Sequence, residues 1–511
     1  MHIPYLASDD AGACLIVDGK PFLPLGGELH NSAGSDLAHM ERVVWPSLRQ
    51  LGGNFYLSPV YWELMEPEQG KYDFTLVDGI IRQARKEGVR LGLLWFGLWK
   101  NGASDYVPQW MKRDHGQYFL FQRGDGKPVY TISPFCAKAV DLDRTAFAAL
   151  MRHLKETDGE AHTVIVVQVE NEIGVWDSDR DYCPAAEAAY CGEIPGDLAE
   201  AMSVHGNFEE AFGKRACDVF MSYHYAKAVE RITAAGRAEY PLPMYVNAVV
   251  ERHASRPVGA PDAPVHDIWM RFTPSIDFYS PDIYVPWFGD IVDAYHHAGN
   301  PLFIPETGAH KDACSNLIYA VGRHNCFGFA PFAIERLFME EDPLDPYARR
   351  RGFQPDRISA LCLKGTYGFL QALWPEIRKA HAEGRIHSYL QQSSDVHHAP
   401  GEVERRAKTF EIQSYRFRIN YGSPEADEKT PTAAGMIIER GPNEFLFFGV
   451  NSSVTIEPRE GRTGTVFVSD KWEYRLKEGS LVRGRCLNGD ERETTGCSLA
   501  PGVFTFRVEC F

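Results

Sequence analysis

A chain of 511 residues with 53 Lys and Arg against 69 Asp and Glu carries a net charge of −16. Ten Trp, 23 Tyr and 30 Phe can bury far more apolar surface than a disordered chain contains, so disorder is excluded as the main theme. The acidic balance argues against a nucleic-acid backbone as partner, and the short basic run Arg349–Arg351 reads as a solvated face.

No stretch of about 18 uncharged apolar residues occurs, so no membrane span is expected. The segment from Met1 to Tyr5 has no basic stretch leading into a long apolar one, so no secretion signal is expected either. Eleven scattered cysteines with no CxxC spacing fit reduced thiols in a cytoplasm. There is no HExxH, and the pairs His296-His297 and His397-His398 lack partners at ligand spacing. Both pairs read as surface residues, and neither a metal nor another cofactor is expected.

From Phe22 to about Phe332, short apolar runs alternate with amphipathic stretches of helix length. The expected strands are 22–25, 54–57, 90–95, 163–169, 244–247, 276–280, 301–305 and 326–331. The expected helices are 38–51, 76–87, 144–156, 208–235, 290–298, 315–323 and 359–382. Several strands, notably Thr163–Val169, are apolar on both faces, as parallel strands covered on both sides are. Eight such units predict an α/β fold, a (β/α)8 TIM barrel over residues 1–385. A doubly wound sheet is disfavoured because no GxGxxG turn follows the first strand.

Past residue 385 the pattern changes. Residues 387–405 are mostly polar, with Ser393-Ser394 and Pro400-Gly401. From Lys408 the apolar period becomes two, beginning with a strand through Phe410, Ile412, Tyr415, Phe417 and Ile419 that slips in register. Segments 433–440, 444–450, 453–457, 465–468 and 503–509 follow, separated by Gly, Pro and Asn. Residues 386–511 therefore read as a linker and a small all-β, sandwich-like domain.

In barrels of this kind chemistry sits at the C-terminal strand ends. The fourth strand ends Gln168-Val-Glu170-Asn171-Glu172, and two carboxylates there are costly unless paired or used. Strict alternation would turn Gln168, Glu170 and Glu172 into the barrel and Asn171 out, so Asn171 reaches a ligand only if the chain bends. The seventh strand delivers Glu306 to the same rim. Two carboxylates facing each other across a mouth suit glycosidic cleavage, one as proton donor and one as nucleophile or base. Trp62, Trp95, Trp99, Trp176, Tyr284 and Trp287 lie near strand ends, where aromatic planes can receive the CH-rich face of a sugar or simply fill the core.

Three stretches resemble glycoside hydrolase family 35 β-galactosidases. These are Pro21–His30, the block from Val60 to Phe74 with its Gly-Lys-Tyr-Asp-Phe turn, and Gln168–Gly174. The tail around Leu487–Glu491 resembles the small β domain of a short bacterial branch of that family. The resemblance implies a retaining, exo-acting β-galactosidase with an oligosaccharide or plant polysaccharide side chain as substrate; the alternatives are another retaining β-glycosidase of the same barrel clan and a catalytically silent carbohydrate-binding barrel. Glu172 would be the acid/base and Glu306 the nucleophile. Asn171 would bind the sugar 2-hydroxyl, Glu170 another galactose hydroxyl, and Asn247 would line the pocket. Tyr284 would orient the nucleophile, and Trp99 and Trp287 would contact substrate. The family's usual third-strand motif is replaced by Phe96-Gly-Leu-Trp-Lys100-Asn101-Gly102, so Lys100 and Asn101 are the candidates for its sugar-binding task. A homo-oligomer is compatible with this reading.

Overall fold

The computed structural model describes residues 2–250, 256–338, 356–392, 408–422, 429–493, 495–497 and 500–511. Eight parallel strands form one ring: β1 (Gly26–Glu28), β2 (Phe55–Tyr61), β3 (Arg90–Lys100), β4 (Val164–Asn171), β5 (Met244–Val249), β6 (Phe278–Ile283), β7 (Ile304–Thr307) and β8 (Phe329–Pro331). Neighbours in the ring are neighbours in sequence, as right-handed crossovers require. The ring closes through the parallel bridges Leu25–Phe329 and Glu28–Phe332 between β1 and β8. It is the expected barrel.

The observed strands run further toward their C-termini than the apolar runs suggest. β3 continues to Lys100, β4 to Asn171 and β6 to Ile283, and β1 starts at Gly26 rather than at Phe22. Phe22 instead ends the third strand of a small N-terminal sheet (Tyr5–Asp9, Gly12–Val17, Lys20–Phe22). That sheet packs Ala13, Leu15 and Val17 against the barrel interior, formed by Phe55, Phe96, Tyr245, Phe278 and Phe303 among others. Arg378 holds it to the helix Arg357–Ala382 through both oxygens of Asp9, each at 2.6 Å.

The expected helices appear with shifted ends, chiefly Thr75–Glu87, Ala137–Asp158, Ala216–Glu239, Phe288–Tyr295, Ala313–His324 and Arg357–Ala382. The long stretch expected over 208–235 is broken at Gly213, where φ is 53°.

Beyond the barrel, Ile386–Leu390, Ala434–Gly441, Glu444–Val450, Gly502–Cys510, Val466–Lys477 and Ser480–Cys486 pair into one sheet. Lys408–Ile412, Tyr415–Tyr421, Ser452–Pro458 and Thr495–Cys497 pair into a second. Their facing sides share a core of Tyr389, Phe417, Ile437, Phe445, Phe447 and Phe506. The slip in period between Ile412 and Tyr415 is a hairpin turn: Gln413 has φ 53°, and the two flanking segments pair antiparallel. Ile386–Leu390, read as linker, is a strand because its partner Ala434–Gly441 supplies the bonds that its polar sequence does not advertise. The Arg349–Arg351 run, Ser393-Ser394, His397-His398 and Pro400-Gly401 lie outside the described residues. The sandwich docks on the barrel where the Thr432 amide donates to Asp312 Oδ1 (2.7 Å) and Ser315 Oγ donates to the Thr432 carbonyl (2.6 Å).

Candidate active site

The end of β4 departs from alternation. The backbone enters the left-handed region at Glu170 (φ 61°) and again at Glu172 (φ 46°), each a conformation that costs a non-glycine residue energy and concentrates at functional sites. Glu170 and Glu172 consequently part company. Glu170 turns into the barrel wall, where its Oε2 accepts from the Trp99 amide at 2.7 Å and its carboxyl lies beside Asp143 of the helix Ala137–Asp158. Burial first, and then Asp143, push the Glu170 carboxyl well above the ordinary carboxylate range, and burial raises Asp143 as well. Gly97 closes over this pair. A Cβ there would stand 2.6 Å from Glu170 Oε1 and 2.7 Å from Asp143 Oδ2. The expectation that Glu170 points into the mouth beside Glu172 is therefore corrected.

Asn171 and Glu172 face the mouth. The Glu172 amide donates to Asn247 Oδ1 (2.9 Å), and Asn247 Nδ2 donates to Asp282 Oδ2 (2.7 Å), which links the ends of β4, β5 and β6. From β7, Glu306 Oε1 accepts from the Tyr284 hydroxyl at 2.5 Å. One oxygen each of Glu172, Asp282 and Glu306 lies within 4.8 Å of the others.

Lys100 reaches this group from the end of β3. Between Trp95–Val169 and Lys100–Asn171, β3 spends five residues where β4 spends two, and the resulting bulge re-aims the strand end. Lys100 Nζ donates to Asn171 Oδ1 (2.6 Å) and to Asn101 Oδ1 (2.9 Å). Burial works against its charge, but Glu172, Glu306 and Glu28 outweigh it and hold the ammonium above the ordinary lysine value. Glu28, at the end of β1, is driven well up by burial and then by Glu306. Asp282 is driven well up by burial and then by Glu306, Glu172 and Glu28. Burial and Glu306 likewise raise the Tyr284 hydroxyl, which keeps it a donor. Three carboxylates at this spacing could hold a cation, but the site already contains a buried ammonium that answers their charge.

The tryptophans divide. Trp62 Nε1 donates to Glu66 (2.6 Å), Trp95 Nε1 to Asp143 (2.7 Å) and Trp99 Nε1 to the Ile132 carbonyl (2.8 Å); all three rings are fully buried. Trp99 stands edge-on to Tyr225 of the outer helix Ala216–Glu239, so the expected substrate contact is corrected to wall packing. Trp176 and Trp287 are half-buried near the rim. Two rim carboxylates, Glu28 and Asp282, escaped the sequence reading. Glu28 lay within a quoted motif without a role, and Asp282 fell beyond the end assigned to the sixth strand. The rule that polar residues at strand ends are suspects would have found both.

Residues 48–234 match the family model of glycoside hydrolase family 42, described as beta-galactosidase. Residues 363–496 match a domain of unknown function, DUF5597. The first of these matches likens the barrel to those of glycoside hydrolases. A beta-galactosidase of Xanthomonas manihotis is 28% identical over 234 residues, which is 40% of this chain and 36% of that protein. Beta-galactosidase 13 of Arabidopsis thaliana is 28% identical over 173 residues, 32% of this chain and 18% of that one. The chain thus spans about a third or less of the curated relatives it matches. The crystal structure of a beta-galactosidase from Bacillus circulans sp. alkalophilus superposes with a TM-score of 0.51 at 15% identity, over 71% of this chain and 58% of that one. It shares the fold. Among the described residues no helix is long and apolar enough to cross a membrane.

Proposed function

We propose that the protein is a retaining, exo-acting β-galactosidase that removes terminal β-linked galactose from oligosaccharides or plant polysaccharide side chains. The observation that carries the reading is the approach of Glu172 and Glu306, with oxygens within 4.8 Å across the barrel mouth. Retention calls for carboxyl groups about 5–5.5 Å apart, inversion for roughly 6.5–9.5 Å, and the short approach supports the former. Glu172 gives its proton to the glycosidic oxygen while Glu306 Oε2, opposite the oxygen bound by Tyr284, attacks the anomeric carbon. Glu172, now a carboxylate, then takes a proton from water, which displaces Glu306 and restores the starting state. Asn171 meets the 2-hydroxyl, where a hydrogen bond tightens as the oxocarbenium-like transition state forms.

Exo action is supported by depth. Glu172 and Glu306 are each only 6% exposed, which suits the end of a chain better than its middle. Galactose as the sugar is supported by the β-galactosidase matches, and family 35 by its motif blocks at 21–30, 60–74 and 168–174. Eleven cysteines that form no disulfide support a cytoplasmic setting. The reading is tested with Glu306→Gly on an aryl β-galactoside with added azide. Near-complete loss of hydrolysis with recovery of the α-galactosyl azide is expected; full activity would reject Glu306. A panel of aryl galactoside, glucoside, mannoside and arabinoside tests the sugar, and preference for another member would replace galactose while leaving the mechanism.

A further inference from the structure

We infer that Lys100 is a positioning residue of this reaction: its ammonium fixes the Asn171 amide with the N–H side toward the sugar and provides the positive charge against which Glu172 and Glu306 share one pocket. The inference rests on the proposed glycosidase reading and assigns the specificity for the 2-hydroxyl to a residue that does not touch the sugar.

The orientation argument is one of donors and acceptors. An ammonium has three donors and no acceptor, so the atom of Asn171 that meets Nζ at 2.6 Å must be the carbonyl oxygen. That settles which way the amide faces, a choice that otherwise depends on the surrounding bonds. Asn171 Nδ2 is then turned away from Lys100, and it is buried without a hydrogen-bond partner in the protein. A buried donor without an acceptor is costly, and the cost is recovered when a ligand hydroxyl meets it. The second bond of Nζ, to Asn101 Oδ1, holds the ammonium in place from the turn just after β3, and the Phe96 ring lies 5.0 Å from it.

The charge argument takes in every element around Nζ. Glu28 faces it from β1, Tyr106 from the chain after β3, Glu172 from β4, Asp282 from β6 and Glu306 from β7, with Tyr284 bonded to Glu306. All of these titratable groups are acids. With Lys100 neutralised, these acids would lose the buried positive charge that now offsets their mutual repulsion.

The test compares Lys100→Met, Lys100→Gln and Lys100→Arg with the unaltered enzyme, on an aryl β-galactoside and its 2-deoxy analogue, with kcat/KM followed against pH. Circular dichroism and urea midpoints establish folding. In Lys100→Met the preference for the 2-hydroxyl substrate should shrink by about tenfold or more, because Asn171 is free to turn. Its acid limb should also move up by about one pH unit or more. Lys100→Gln, which still donates to Asn171 but has no charge, should keep the preference and move the limb. Lys100→Arg, which keeps the charge and has donors but no acceptor, should keep both properties close to those of the unaltered enzyme. A folded Met variant with both properties unchanged would overturn the inference, as would uniform losses in all three with neither property altered. If Met and Gln fail to fold, Arg decides, because a folded Arg variant that loses the 2-hydroxyl preference while keeping charge and donors would overturn the inference, and failure of all three would assign Lys100 to the fold and overturn its role. An unaltered enzyme that cleaves no glycoside would refute the proposed function, and this inference would fall with it. Normal hydrolysis with indifferent, folded variants would refute the inference alone.

Discussion

The Tyr284 hydroxyl is the bond that most directly sets how the proposed nucleophile behaves. Its side chain is 37% exposed at the rim, yet its oxygen donates to Glu306 at 2.5 Å and stays protonated over any working pH. Tyr284→Phe should lower kcat/KM roughly 100-fold, since Glu306 loses the hydroxyl that holds its Oε1 in place. Glu335, just past β8, gives a pH effect on stability instead of on rate. It accepts from the His30 amide at 3.1 Å, and burial raises its carboxyl from 4.5 to about 7. Between those values the folded protein keeps a proton that the unfolded chain releases, so its contribution to stability falls as pH rises from 4.5 to 7. Glu335→Gln should flatten that part of a urea-unfolding series and leave the protein about 1–3 kcal/mol more stable at pH 8 than the parent.

At the scale of elements, the ends of the strands carry both the chemistry and the difficulty of reading it. Apolar runs announced seven of the eight strands, because each is buried on two faces, while the run at 22–25 stops just short of β1. Their C-terminal ends were cut short, since Lys100, Asn171 and Asp282 remain paired in the ring while being polar for the sake of the pocket. Glu172 and Glu306 could be placed on one rim from sequence because the barrel rule needs only strand order. The turning of Glu170 into the wall could not, because it depends on two left-handed residues and on the β3 bulge around Gly97. Gly97→Ala should therefore destabilise by about 1–3 kcal/mol in urea unfolding, with the added methyl forced against Trp95, Glu170 and Asp143. Trp62, Trp95 and Trp99 were ambiguous for a related reason: an indole at a strand end faces pocket or wall according to that same local bend. The N-terminal sheet offers a contrast, since it packs against the barrel interior through Leu15. Leu15→Ala should cost about 2–5 kcal/mol of stability while leaving kcat/KM at 25 °C unchanged.

For the molecule as a whole, the sandwich meets the barrel close to β7, the strand that carries Glu306. Asp312, six residues past Glu306, accepts from the Thr432 amide at 2.7 Å, and Ser315 donates to the carbonyl of the same residue. Asp312→Ala should cost about 1–3 kcal/mol in urea unfolding by leaving that amide without its acceptor. The ring itself has a further consequence. Its seam joins residues about 300 positions apart, Leu25 to Phe329 and Glu28 to Phe332, and Glu28 is one of the acids around the pocket. A chain still emerging from the ribosome has no eighth strand to meet the first, so an early fragment has part of a wall and no reaction chamber. Contacts between residues so distant are slow to form, which makes the recovery of turnover during refolding a late clock, ticking after helicity has returned.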